Sequence, residues 1–438
     1  MANEQSKNHK IGFWVCVSLV IGNMIGSGIF LLPSSLSDFG PISLWGWAIT
    51  GAGSVLLAFV FARLALDSPK ACGPLAYTEE GFGKFAGFLV GWGHWIAAWT
   101  GNAGLAVAFT SYLTAFVPEL KDNSGLAVIV TLGTVWLLYF INLQGLKSVG
   151  LIQVITTILK LIPLALFAFA GFFYFEPSNY AVSNVSELPT FNAILATCSI
   201  TLWAFLGLES ATVPAGDVKN PEKNIPRATI YGTLFVAILY FVVSAAIFGI
   251  MSPAELQKST APFADAAGAL WGSWAFHFIA IGAIISVLGS LNGWMLIQAE
   301  VPYVAAKKKL FPKIFCKEDA KGRPIWGVTI STVLISLLVL ANFTGDLVKL
   351  FTFIILLASL SSLIPYLFCS LASIMIHLSR KGTQNFQWTR HLGITVIAFS
   401  YVIGAIIGSG PEVVYWGTIL LMASVPVFVW AQWEHVDN

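Results

Sequence analysis

Hydrophobic residues in this chain gather into long unbroken runs separated by short polar breaks. Runs longer than about 18 residues mark membrane-spanning helices rather than the core helices of a soluble domain. The period-two alternation of an outer-membrane barrel is absent. The runs predict twelve helices, at 12–32, 43–66, 85–117, 125–143, 148–175, 191–212, 228–251, 274–305, 326–344, 348–379, 389–409 and 412–432. An all-α membrane protein with twelve transmembrane helices is therefore expected. The first run outlasts a signal-peptide core and carries no Ala-x-Ala site, so it is expected to stay as the first span.

Charge orients these spans. With a cytoplasmic N-terminus, 19 Lys and Arg residues fall on the cytoplasmic side and three (Lys121, Lys258, Lys349) on the other. That split follows the positive-inside rule, and one missed helix would scramble it. Both termini are thus expected in the cytoplasm, with tails at 1–11 and 433–438. Lys307-Lys308-Lys309 reads as a topology anchor, with an anionic-lipid or nucleic-acid patch as the rival. Composition agrees: 57% of residues are hydrophobic and 10% charged, and mean hydropathy is +0.80. Soluble domains average about 25% charged residues. Five scattered cysteines without a CxxC suggest neither a disulfide framework nor a zinc site.

Polar residues within the spans carry the chemistry. The first span reads Gly22-Asn23-Met24-Ile25-Gly26-Ser27-Gly28, which weakens a helix at mid-membrane. Irregular backbone at that depth survives where it lines a cavity. Close helix packing of Gly22 over Gly26 is the competing reading. The sixth span holds Gly207 and then Glu209, an acid that is expensive unless it faces a polar interior. These interruptions sit at corresponding places of two five-helix halves, 12–175 and 191–379, with 389–432 as an appended pair. Paired interruptions point to the site of an inverted-repeat transporter. No residue-level repeat accompanies them, so the symmetry rests on hydropathy.

An unwound first span exposes backbone N–H groups where a helix dipole also favours an anion. Ser27 and the N–H groups of Gly26 to Ile29 could cradle a carboxylate, and glycines there keep Cβ atoms out of the way. Freed carbonyls near Ala204 and Phe205 could accept from an ammonium. Together the two ends would read an α-amino acid headgroup.

These segments resemble the amino acid–polyamine–organocation superfamily, and most of all its basic amino acid/polyamine antiporters, such as the arginine–agmatine exchangers. The resemblance rests on Gly22 to Gly28 with Leu31-Leu32-Pro33, on Trp99-Thr100-Gly101-Asn102, and on Leu202 to Ser210. Lys219-Asn220-Pro221-Glu222-Lys223-Asn224-Ile225-Pro226, Leu288 to Trp294 and Pro365-Tyr366 extend it over nearly the whole chain. It implies a LeuT-type 5+5 inverted repeat with broken helices 1 and 6, in a bacterial cytoplasmic (inner) membrane. It also implies exchange of a cationic amino acid for a related amine or amino acid. Asn23, Ile25, Gly26, Ser27 and Gly28 match the carboxylate-binding segment, and Trp203, Ala204, Phe205 and Leu206 the facing one. Ala98, Asn102, Leu105 and Ala358 match further substrate-lining positions. Trp203 and Trp294 match aromatic gates, while Glu209, Tyr366 and Phe351 match gating or pocket positions. No cofactor, metal or nucleic acid is implied. Substrate and lipid are the expected partners, with protons and a homodimer as further candidates.

Two residues depart from that pattern. His94 stands where the arginine–agmatine antiporters carry an outer-gate tyrosine, and could titrate, pair with Glu209, or simply pack. Lys160 lies mid-span in the fifth helix, where proton-coupled transporters of the wider superfamily use a lysine in place of sodium. It favours the alternative of proton-coupled or exchange transport of neutral amino acids. Glu79-Glu80 reads as a solvated loop pair. An intramembrane enzyme would want a protease, metal or P-loop motif, and a channel would want filter loops or charged rings. None is present in the sequence.

Overall fold

The computed structural model describes residues 12–68, 73–143, 149–171, 173–212, 218–319, 324–342, 346–381 and 386–436. Among these residues the structure is helical, without a strand longer than the single bridge Glu318–Pro324. Among the described residues nine helical stretches are long and apolar enough to cross a membrane, and Thr157–Ala170 and Ile325–Ala341 are shorter apolar helices.

The first expected span is two helices, α1 (Phe13–Met24) and α2 (Ser27–Leu36). It is followed by α3 (Ser43–Asp67), α4 (Gly73–Phe82) and α5 (Lys84–Leu113). A single turn, α6 (Glu119–Asp122), leads to α7 (Ser124–Asn142) and α8 (Val149–Ala170). The sixth expected span begins as α9 (Thr190–Leu202) and gives way to short 3-10 turns. Beyond it lie α10 (Pro221–Ile250), α11 (Pro253–Lys258), α12 (Pro262–Trp271) and α13 (Ser273–Lys307). The chain closes with α14 (Ile325–Asn342), α15 (Leu347–Lys381), α16 (Phe386–Gly408), α17 (Pro411–Met422) and α18 (Ser424–Val436).

The inner packing partners are α5 with α13 and α15, and α3 with α10. The broken segments run between them, so that α2 is buried at every position. Outer helices do the reverse. Only 11% of the apolar window at 411–434 and 22% of that in α7 is buried. Phe169, Ile238, Leu337, Ile407 and Val429 are all more than half exposed. An apolar belt of this kind is stable against lipid and not against water.

Two regions that hydropathy left as loops are helices. Both α4 and α12 are 10 residues long, and each turns into a long helix, α5 or α13, through one glycine. Gly83 has φ 85° and ψ −178°, and Gly272 has φ 86° and ψ −176°. Side-chain-bearing residues resist that backbone region, which explains glycine at both corners. This likeness between third and eighth expected spans is carried by backbone shape, not by residue identity. Glu79 and Glu80, expected in a solvated loop, stand on α4. Glu79 meets Lys308 Nζ at 2.6 Å and Glu80 meets Arg380 Nη2 at 2.5 Å.

Candidate functional site

The first break is built by distant side chains. After Met24 the chain extends at Ile25 (φ −79°, ψ 91°), passes Gly26 and re-enters a helix at Ser27. Carbonyls that would have accepted helical N–H groups find other donors. Lys160 Nζ donates to Gly22 O at 3.0 Å, Tyr240 OH to Met24 O at 2.7 Å, and Ser290 Oγ to Ile25 O at 3.3 Å. Lys160 also donates to Ser290 Oγ at 2.8 Å, and its side chain is 1% exposed. A buried ammonium needs such acceptors, and the carbonyls of the break supply one. Gly22 and Gly26 therefore serve a break and not a continuous packing ridge.

The second break is largely self-contained. Trp203–Phe205 forms a 3-10 turn, Leu206 is extended, and Gly207 turns back with φ +98°. Leu206 N donates to Trp203 O, Ser210 N to Gly207 O and Thr212 N to Glu209 O, at 3.3, 2.9 and 2.8 Å. Glu209, 4% exposed, accepts from Tyr366 OH at 2.8 Å. Asn23 Nδ2 donates to Ser210 Oγ at 2.8 Å and ties the first break to the second.

Between the breaks lies a cavity of about 20 Å³, lined by Asn23, Met24, Gly26, Ser27, Gly28, Leu105, Trp203, Leu206, Ser290 and Trp294. It is closed down to roughly the room of a single water. Trp203 Nε1 donates to Ser27 Oγ at 3.2 Å. The indole lies across α5 at Gly101, where a Cβ would come within 3.0 Å of the ring. A Cβ on Gly28 would meet the Ala204 Cβ at 2.9 Å, so close approach of the two breaks needs glycine there.

Of the residues expected from sequence, Asn23, Gly26, Ser27, Gly28, Leu105, Trp203, Leu206 and Trp294 line this cavity. Ile25, Ala98, Asn102, Ala204, Phe205, Phe351 and Ala358 are buried outside its lining. Phe205 packs its ring on Trp47 and Tyr240. Asn102 Nδ2 donates to Gln298 Oε1 at 2.7 Å. Lys160, Glu209 and Tyr366 hold the breaks from behind. His94 is partly exposed and makes no hydrogen bond among the described residues. Met24, Ser290 and Gln298 were not singled out from sequence. Ser290 lay within the Leu288–Trp294 motif, but a serine in an apolar helix gives no sign of what it faces.

The two breaks present complementary backbone ends. The first N–H groups of α2 have no partner in their own helix and no side-chain cap. Opposite them, Leu206 and Gly207 leave helical geometry, so the carbonyls just before them are not committed to a helix. No group of three or more His, Cys, Asp or Glu suited to a metal occurs among the described residues.

Comparison with known proteins gives this geometry its setting. The amino acid permease family model matches residues 11–430. The chain belongs to the amino acid permease family. It is 35% identical over 369 residues to the cadaverine/lysine antiporter of Escherichia coli K12, covering 83% of each chain. It is 33% identical over 416 residues to the putrescine transporter PotE of Haemophilus influenzae, covering 95% of each. To a putative arginine/ornithine antiporter of Bacillus subtilis it is 32% identical over 437 residues, covering 92% of each. This permease is a multi-pass membrane transporter of the amino acid–polyamine–organocation superfamily, and not an enzyme.

In this permease a second polar assembly lies at the Lys307 end of the helices. Asp67 Oδ2 accepts from Arg63 Nε at 2.8 Å and lies 3.2 Å from His377 Nδ1, while His377 stacks on Trp388 at 5.3 Å. With the pairs from Glu79 and Glu80, it fastens α4 to α13 and α15 and joins α3 to α15.

Proposed function

We propose that this permease is a secondary active antiporter of the bacterial cytoplasmic membrane that exchanges a cationic amino acid for a related amine or amino acid. The substrate class is arginine, ornithine or lysine on one side and the corresponding decarboxylated amine on the other. Twelve spans in a LeuT-type 5+5 inverted repeat, with both termini cytoplasmic, carry alternating access. The matched corners at Gly83 and Gly272 support the repeat. Protons are the candidate coupling ion and a homodimer the candidate assembly.

One observation carries the reading: two broken helices meet across Ser27 and Trp203 with a helix start on one side and freed carbonyls on the other. That pair of ends suits an α-carboxylate and an α-ammonium. The names of the relatives, which speak of cadaverine, lysine, putrescine, arginine and ornithine, support a basic side chain. Trp203 and Trp294 offer aromatic faces to such a cation.

A second reading, exchange or proton-coupled transport of neutral amino acids, is favoured by the cavity lining, which holds no Asp or Glu. Lys160 would then be the coupling group through its bonds to Gly22 and Ser290. Counterflow of radiolabelled arginine, ornithine or lysine into proteoliposomes, competed with amines and neutral amino acids, separates the two. Competition by agmatine, putrescine or cadaverine is expected. If only neutral amino acids compete, the antiport of cationic substrates is lost as an explanation.

A further inference from the structure

The buried pair Asn102–Gln298 lies directly behind the cavity. Leu105 and Trp294 line the cavity from α5 and α13. Asn102 is one turn before Leu105, and Gln298 is one turn after Trp294, so each shares a helix face with its cavity residue. Phe88 near the start of α5 packs on Phe311 just past α13, and Phe116 just past α5 packs on His277 near the start of α13, so the helices run in opposite directions. Both carboxamides are therefore displaced from the cavity towards the Lys307 end.

Their mutual bond is incomplete. Asn102 Nδ2 donates to Gln298 Oε1 at 2.7 Å, and both side chains are fully buried. Asn102 Oδ1 and Gln298 Nε2 have no hydrogen-bond partner among the described residues. Two opposed carboxamides that share one bond leave one amide oxygen and one amide nitrogen unpaired, and turning both amides only exchanges which residue bears which. Leaving both unmet at this depth is costly, and apolar residues of like size would avoid it. A stable seam alone does not explain the choice. A group that must open and then receive something polar does.

We propose that Gln298 is a gating and specificity residue of this permease. Its bond to Asn102 latches α5 to α13 beneath the cavity. When the helices part, Gln298 Oε1 is released from Asn102 Nδ2 and, beside the already unpartnered Asn102 Oδ1, is free to accept from the terminal ammonium or guanidinium of the substrate side chain. Two neutral carbonyl oxygens hold a cation without trapping it, which suits a station on an exit path. Cation binding by these oxygens rests on the proposed function, and the latch does not.

Two readouts keep them apart. In a variant freed of native cysteines, Leu105→Cys reports access to the cavity from the Lys307 side through its labelling by a charged maleimide. Gln298→Leu and Asn102→Leu are each expected to speed labelling ~10-fold, and the double variant no further. Gln298→Glu, which still accepts from Asn102 Nδ2, should restore slow labelling and shows that a fold defect is not the cause. Unchanged labelling in Gln298→Leu, or additive effects, would overturn the latch. In counterflow, Gln298→Leu should raise the half-saturating concentration of the cationic substrate ~10-fold relative to that of alanine or another short neutral amino acid. Equal losses for all substrates would overturn the cation station. A wild type that carries only neutral solutes would remove the proposed function and the cation station together, while the labelling still judges the latch.

Discussion

The two breaks do the same topological work with different means. At the first, the carbonyls of Gly22, Met24 and Ile25 are met by Lys160, Tyr240 and Ser290, which come from α8, α10 and α13. At the second, Leu206, Ser210 and Thr212 return their N–H groups to carbonyls three residues back. One break is held open by the bundle, and the other by its own turns. Motion of α8 or α13 must therefore disturb the first break, whereas the second can move as a preformed unit. Lys160 thus bonds the backbone of the α1–α2 junction directly, whereas Glu209 ties its own segment to α15 through the Tyr366 side chain.

Lys160→Ala tests that contrast most severely. It leaves Gly22 O and Ser290 Oγ without their ammonium donor, at a cost of ~1–3 kcal/mol for each buried group. Counterflow is expected to fall more than ~10-fold, with a lowered melting midpoint of the purified protein. A variant that melts and transports as wild type would show the first break to be as self-sufficient as the second.

Glu209→Ala and Tyr366→Phe probe the long-range side-chain bond that ties the second break to α15. Turnover should drop ~10-fold with half-saturation nearly unchanged, because the turns themselves remain. Identical pH profiles of transport for Glu209→Ala and wild type would remove Glu209 from proton coupling. Gly207→Ala strikes the turn directly. Its φ of +98° is disfavoured for alanine, and the added Cβ would lie 3.1 Å from the Asn23 Cβ. A loss of ~1–2 kcal/mol in unfolding free energy is expected. No loss would mean that the turn relaxes freely.

Trp203→Phe keeps an aromatic face between the breaks and deletes the Nε1 donor to Ser27. About 1 kcal/mol, or ~5-fold in half-saturating concentration, is expected. The smallest effect belongs to a helix start satisfied, like the second break, by its own neighbours. Ser252 caps α11, and its side-chain and backbone hydrogen bonds hold the Glu255 carboxyl below its ordinary 4.5. A depressed carboxyl contributes stability above pH ~4.5 that is lost as pH falls through its lowered value. Ser252→Ala should cost ~0.5–1 kcal/mol near neutrality and progressively less in acid. Thermal melts at both ends of that range check the sign.

The sequence reading and the structure agree most where chemistry is expensive. Glycine, asparagine and serine in the first span, and an acid in the sixth, announce irregular backbone because lipid offers no partner to loose peptide groups. Hence Ser27 and Gly28 stood out from the residues themselves, Trp203 and Leu206 through the family resemblance, and all four line the cavity. The helices α4 and α12 were not legible, since a 10-residue amphipathic segment beside a membrane looks like any polar break in hydropathy. Asn102 was recognised as polar and interior, but its partner was not. Gln298 lies 196 positions away on α13, and nothing local links the two.

By itself the sequence determined the class of the protein, the places where two helices break and which residue types stand there. Those follow from one-dimensional constraints: apolar length, positive charge at helix ends and the cost of polar groups in lipid. Only the tertiary structure decided who completes each break. A carbonyl freed at Gly22 can be met by any donor that packing brings within 3 Å, and Lys160, Tyr240 and Ser290 were selected by how α8, α10 and α13 pack around α1. That choice is a property of the bundle, and no run of residues contains it.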